Sequence, residues 1–245
     1  MQNYKEGEII LINKHYEWSS FDVVKKIRGL LNKFHAFSHE KGETVPKYKI
    51  KVGHAGTLDP LATGLMIVCT GKQTKNIDQL QAQSKEYTGT FYLGATTPSF
   101  DKEEEVDVRY PTDHVTGTLI LETAKKFVGT FQQVPPVFSA VKVNGKRLYK
   151  SARKGELIAE PQPREIIIYE FQVTKIELPL VTFRIACSKG TYIRSLVRDF
   201  GIAVNSGAYL ESLCRTRIGN YRLEDAMEMV EFEKQVKEIV QNDSH

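Results

Sequence analysis

One carboxylate stands apart in this sequence. Asp59 lies in Gly53-His54-Ala55-Gly56-Thr57-Leu58-Asp59-Pro60-Leu61-Ala62-Thr63-Gly64, a run dense in Gly, Thr, Pro and Ala. Glycine permits tight or left-handed backbone and lets a ligand come close. Pro60 biases Asp59 toward extended backbone and away from helix. The carboxylate is therefore displayed on a stiff loop, where it can serve as nucleophile or base. Asp in a Gly-rich loop also serves turns, because its side chain accepts hydrogen bonds from nearby backbone. Residue type alone leaves both readings open. A phosphate-binding loop is set aside, since it needs Gly, four residues, then Gly-Lys-Ser/Thr. Counting back from Gly71-Lys72, the Gly position holds Met66, and Gln73 follows the lysine.

The elements around this loop can be read from periodicity. Leu65–Cys69 is a short apolar run and predicts a buried strand directly after it. Lys47–Val52 alternates with period two and predicts a half-exposed strand before it. Residues 8–13 predict another strand. Ser19 or Ser20 can cap a helix with Asp22 in its first turn, and Val23, Val24, Ile27, Leu30 and Leu31 give it one apolar stripe. Residues 113–128 contain a helix with Leu121, Ala124, Phe127 and Val128 inward. Two long strands are predicted at 164–176 and 181–188. A helix follows, with Thr191 as its cap and Gly201 at its end. Arg194 then sits in the first helical turn, where the helix dipole disfavours a cation. That placement calls for an anionic partner, and Asp59 is the expected one.

Bulk properties exclude several classes. The chain has 245 residues, net charge +4, 41% hydrophobic and 26% charged residues, an ordinary globular profile. Cys69, Cys187 and Cys214 are far apart and show no C-x-x-C spacing, which argues against a disulfide framework or a zinc site and for small core residues. His35 and His39 are four apart, yet no third ligand follows at a recognisable spacing, so a loop is expected over residues 34–47. No apolar N-terminal run or membrane-length segment is present, and the cytoplasm is the expected compartment.

Charge is locally concentrated. Lys142, Lys146, Arg147, Lys150, Arg153 and Lys154 fall within thirteen residues that hold no acid, with Phe138 and Tyr149 nearby. Such density supplies sequence-independent affinity for phosphates. Asn144-Gly145 within it is a hairpin turn signal.

Four stretches together resemble the bacterial tRNA pseudouridine synthase B family. They are Gly53–Gly64, Lys85-Glu86-Tyr87, the Gln132–Tyr149 stretch and Lys189-Gly190-Thr191-Tyr192-Ile193-Arg194. The resemblance spans the first helix to about residue 222. It implies an α+β pseudouridine synthase fold: a mixed, mainly antiparallel sheet bisected by an active-site cleft, with flanking helices and a thumb insertion over about 129–162. Residues 1–222 would be the catalytic domain and 223–245 a helical extension, with no appended PUA domain. The implied reaction isomerises a uridine in the T loop of tRNA (conventional position 55) to pseudouridine, without metal or other cofactor, on a flipped-out base. Asp59 would be the catalytic carboxylate, Tyr87 would stack on the base, and Arg194 would keep Asp59 ionised. His54, Gly56, Thr57, Leu58, Tyr192 and Leu213 would contact the substrate, and Lys142, Lys146 and Arg147 of the thumb would bind RNA. The implied partner is the T arm of tRNA, engaged by a monomer. The sequence departs from the family where a Thr-Asp-Thr-x-Asp run becomes Thr96-Thr97-Pro98-Ser99-Phe100-Asp101, and where Cys214 replaces the first Arg of Leu-Arg-Arg-Thr.

Overall fold

A computed structural model describes residues 4–37, 49–136, 142–143, 146–147 and 161–242. The chain forms two compact units, one of residues 1–83 and 214–245, the other of residues 84–213.

In the first unit β1 (Ile9–Lys14) and β2 (Val52–His54) each pair antiparallel with β3 (Ala62–Thr70). The expected strand at 47–52 is replaced by β2, and residues 47 and 48 lie outside the described ones. The expected loop at 34–47 lies largely outside them too; its first residues, to Phe37, extend the preceding helix. β3 is buried on both faces, which is why its sequence runs apolar without alternation. Met66 and Val68 pack with Ile10, Ile12 and the Val23, Val24, Ile27 and Leu31 stripe of the Ser20–Phe37 helix. Leu65, Ile67 and Cys69 pack on the opposite side with Ala55, Leu80 and Ile218. Ser19 caps the helix: its hydroxyl accepts from the Asp22 N–H at 3.1 Å, and Asp22 accepts from the Ser19 N–H at 3.0 Å. The C-terminal helix Met229–Asn242 closes the first of these cores with Met229, Phe232 and Val236.

The second unit is built on an antiparallel sheet. β4 (Lys85–Leu93) pairs with β11 (Leu180–Cys187), β11 with β10 (Arg164–Glu177), and β10 with β7 (Gly129–Gln133). β5 (Ala95–Thr96) pairs with β6 (Val108–Arg109), and β8 (Lys142–Val143) with β9 (Lys146–Arg147). A last long strand, β12 (Ala208–Ile218), runs from the second unit into the first, where it pairs with β13 (Tyr221–Arg222). The Phe200 ring centres an aromatic core, 5.0 Å from Phe91, 5.6 Å from Phe171 and 5.7 Å from Phe127.

Two helices differ from expectation. The helix Gly117–Lys126 buries Ile120, Thr123 and Ala124, while Leu121 and Val128 are exposed. Ala124 is inward as expected, and Ile120 and Thr123 share its face in place of Leu121 and Val128. The helix Ile193–Ala203 is capped by Tyr192 and continues through Gly201. Gly201 is there for close approach, since a Cβ would lie 2.4 Å from the Ala208 backbone nitrogen. Cys69 and Cys187 are buried and Cys214 partly exposed. Among the described residues no helix is long and apolar enough to cross a membrane, and none forms a His/Cys/Asp/Glu cluster able to hold a metal.

Gly64 is the backbone position on which the Asp59-loop side of β3 depends. Its φ is +101°, and a Cβ would meet the Arg215 carbonyl oxygen at 2.4 Å. Gly64→Ala is therefore expected to destabilise the fold by about 3 kcal/mol or more, combining φ strain with a backbone clash. Denaturant unfolding measures it, and a loss within about 0.5 kcal/mol would contradict this close packing.

Candidate active site

The Asp59 loop joins β2 to β3. Gly56 takes φ +97°, the Ala55 N–H donates to the Ile67 carbonyl, and the Ala62 N–H donates to the Asp59 carbonyl at 3.1 Å. Leu58 is buried and Asp59 half-exposed. Leu58 is tied to the helix start by two hydrogen bonds. Its N–H donates to the Ser20 hydroxyl at 2.8 Å, and that hydroxyl donates to the Leu58 carbonyl at 3.0 Å.

Two buried cations clamp the same loop. Arg215 is 1% exposed. Its Nε donates to the Leu65 carbonyl at 2.8 Å and its Nη2 to the Gly56 carbonyl at 3.1 Å, with a longer Nη1 contact to the Thr57 carbonyl at 3.5 Å. Lys14 is also 1% exposed. Its three ammonium protons have three carbonyl acceptors: His15 at 2.9 Å, Trp18 at 2.6 Å and Pro60 at 3.2 Å. The carbonyls thus satisfy both cations, and the positive charge sits beside the loop's one carboxylate. Burial pushes the Lys14 ammonium down to about 8, against attraction from Asp59 and Asp22 and together with repulsion from Arg215. His54, at the end of β2, titrates below its usual range because burial and then Arg215 oppose its charged form. It is neutral at pH 7.

The second unit places the other expected residues. Tyr87 is 8% exposed on β4, on the face it shares with buried Lys85, Phe91 and Leu93. Arg194 is 3% exposed, and Asp101 5%. The Arg194 Nε lies 3.4 Å from an Asp101 carboxylate oxygen, and its Nη1 donates to the Ser99 carbonyl at 3.1 Å. Arg194 thus pairs with Asp101, the acid that survives in the altered Thr96–Asp101 run. Asp101 is itself fixed: it accepts from the Glu103 N–H at 2.9 Å, and its carbonyl accepts from the Thr97 hydroxyl at 2.6 Å. Tyr192 is held by the buried Gln133 side chain, whose amide donates to the Tyr192 carbonyl at 3.0 Å and accepts from its N–H at 2.8 Å. Leu213 is half-buried on β12. Lys142, Lys146 and Arg147 lie on β8 and β9, and their side chains are outside the described set.

Sequence reasoning missed Lys14, Arg215 and Gln133. Lys14 did carry a signal: β1 buries alternate residues, Ile10, Ile12, then Lys14, so a lysine stands at an inward position. Arg215 lay inside the quoted Leu213-Cys214-Arg215-Thr216 stretch, without any sign of what it would hold.

Lys14 gives a pH test with opposite signs for activity and stability. Above about pH 8 the native protein holds fewer protons at this amine than the unfolded chain does. This group by itself therefore adds stability as pH rises from about 8 toward 10. Over the same interval Asp59 loses a neighbouring positive charge. Single-turnover rates are expected to fall along an alkaline limb near pH 8, with far-UV circular dichroism unchanged. Lys14→Met should lack that limb and lose about 3–5 kcal/mol of stability, since it strands buried carbonyls. A limb unchanged in the variant would detach Lys14 from the activity.

Relatives share this arrangement's sequence along nearly the whole chain. A tRNA pseudouridine synthase B of Flavobacterium johnsoniae is 53% identical over 237 residues, 96% of this chain and 99% of that protein. One of Phocaeicola vulgatus is 49% identical, covering 97% and 99%. Among solved structures, a Cbf5-Nop10-Gar1 complex contains a chain that superimposes with TM-score 0.67 at 28% identity, over 94% of this chain and 54% of that one. This chain thus spans about half the length of that structural relative. Residues 44–193 match the TruB family pseudouridylate synthase N-terminal domain. With its α+β pseudouridine synthase fold, this chain belongs to the TruB family.

Proposed function

We propose that this protein isomerises uridine to pseudouridine in tRNA, at the T-loop uridine of the T arm, as a cytoplasmic enzyme without metal or other cofactor. The observation that carries this reading is Asp59: a half-exposed carboxylate on a loop pinned through its carbonyls by two buried cations, in a chain of this family. The reaction breaks a C–N glycosidic bond, turns the base and forms a C–C bond at the uracil C5. A fixed carboxylate can serve as nucleophile at the base or the sugar, or as base.

Other residues take separate roles in this proposal. Tyr87 stacks on the target base, which must leave its stack at a cost of a few kcal/mol. Arg194 supplies a buried cation oriented by Asp101 and Ser99. His54 meets the RNA as a neutral imidazole, with Gly56, Thr57 and Leu58 presenting backbone. Tyr192 and Leu213 line the base pocket. Lys142, Lys146 and Arg147 contact backbone phosphates.

Asp59→Asn tests the chemistry. Asn serves a turn equally well but lacks charge and basicity. Pseudouridine formation, read as tritium release from C5-labelled uridine in tRNA, should fall by about a thousandfold or more, with tRNA affinity and melting temperature near wild type. Substantial turnover in this variant would remove Asp59 from the mechanism. Reversing Lys146 and Arg147 to Glu should in turn weaken tRNA binding and flatten the dependence of log affinity on log salt. An unchanged slope would remove both from the RNA interface.

A further inference from the structure

Arg164, the first residue of β10, has an unmet valence that the roles above do not use. Its guanidinium carbon stands 4.5 Å from the centroid of the Tyr192 ring. Its register partner on β7 is Gln133, the residue whose side chain grips the Tyr192 backbone from both sides. Tyr192 is thus fixed by one neighbour and covered by the other. Gly190 lies alongside, with a Cβ there 3.7 Å from the Arg164 Nη1. The stacked arginine is a rigid arm, because ring and neighbouring strand restrict its otherwise floppy side chain.

The arm is incompletely bonded. Nε and Nη2 of Arg164 are both shielded from solvent, and neither has a hydrogen-bond acceptor. These two nitrogens form one edge of the guanidinium, the edge whose parallel N–H groups bind a carboxylate or phosphate in bidentate fashion. A lone orphan donor is a packing accident in many folds. Two on the same edge leave a preformed fork for an oxyanion, and buried donors without acceptors are costly enough to be rare.

We infer that the Nε/Nη2 edge of Arg164 is a phosphate subsite, which receives one backbone phosphate of the RNA while Tyr192 supports the guanidinium from its face. The inference rests on RNA being the substrate. A phosphate at this edge would anchor the strand beside Tyr192 and fix the nucleotide relative to the ring. The contact belongs to the RNA-bound state, since the atoms covering the edge must give way for the phosphate to enter. The planar fork sets the geometry, so lysine cannot replace it fully.

The test uses the full chain and a T-arm stem-loop carrying single methylphosphonate linkages, each of which removes one phosphate charge. Wild type must first convert the unmodified stem-loop to pseudouridine; if it does not, the proposed function fails and not this subsite. Arg164→Gln is expected to raise Kd for the unmodified RNA by about ten- to a hundredfold, and to reduce the salt slope by about one phosphate. At one linkage the methylphosphonate should weaken wild type and leave Arg164→Gln unaffected. Arg164→Lys should recover the salt slope but only part of the affinity. Melting temperatures within a few degrees of wild type for the lysine variant keep the comparison valid should the glutamine variant fold poorly. The subsite is overturned if the salt slope is unchanged and every linkage affects both proteins equally, which would leave Arg164 a packing residue on Tyr192.

Discussion

The first unit depends on how a guanidinium and an ammonium are kept inside the protein. Arg215 and Lys14 are almost wholly buried, and burying a charge costs several kcal/mol unless its donors are satisfied. Here backbone carbonyls satisfy them, from Leu65, Gly56 and Thr57 for the arginine and from His15, Trp18 and Pro60 for the lysine. The requirement runs both ways. The loop must bring its carbonyls inward to solvate the cations, and in doing so it loses its freedom. Gly56 and Gly64 are the residues that let this happen, since both take positive φ and Gly64 lies against the Arg215 backbone.

The same device serves electrostatics. Carbonyl oxygens leave the cations charged, so their field still reaches Asp59, which contributes attraction to the Lys14 ammonium. The clamp acts on the loop backbone and leaves the Asp59 residue half-exposed. The second unit treats its cations differently. Arg194 has a carboxylate partner in Asp101, and Arg164 has an aromatic face in Tyr192 and a buried edge without acceptors. Each arrangement fixes a positive group through its immobile surroundings instead of through solvent.

Support also comes from side chains that copy backbone. Gln133 makes with Tyr192 the two hydrogen bonds that a neighbouring strand residue would make. Tyr192 caps the Ile193–Ala203 helix, and Ser195 in its first turn donates to the Val134 carbonyl at 2.9 Å. Two consecutive residues, Gln133 at the end of β7 and Val134 just after it, therefore fix the start of the helix that carries Arg194. The order of these supports explains why the helix begins at Ile193 and not at the Thr191 cap suggested by residue type.

By itself, the sequence determined the local and periodic features. The continuous apolar run of β3, the stripe Val23–Leu31, the strands 164–176 and 181–188 and the display of Asp59 before Pro60 all follow from spacing within a few residues, where backbone preference and burial period act directly. Similarity of four short stretches carried the family. Only the tertiary structure decided which charges are inside. Lysine and arginine are solvated in most settings, so Lys14 reads as a strand-end surface residue until Pro60 is folded against it, forty-six positions away. Arg215 acquires its role from carbonyls about 150 positions earlier. Asp101 finds Arg194 and Gln133 finds Tyr192 in the same way, and no local spacing encodes those meetings. The inward phase of the Gly117–Lys126 helix was likewise set by what packs on it, not by its own hydrophobic pattern.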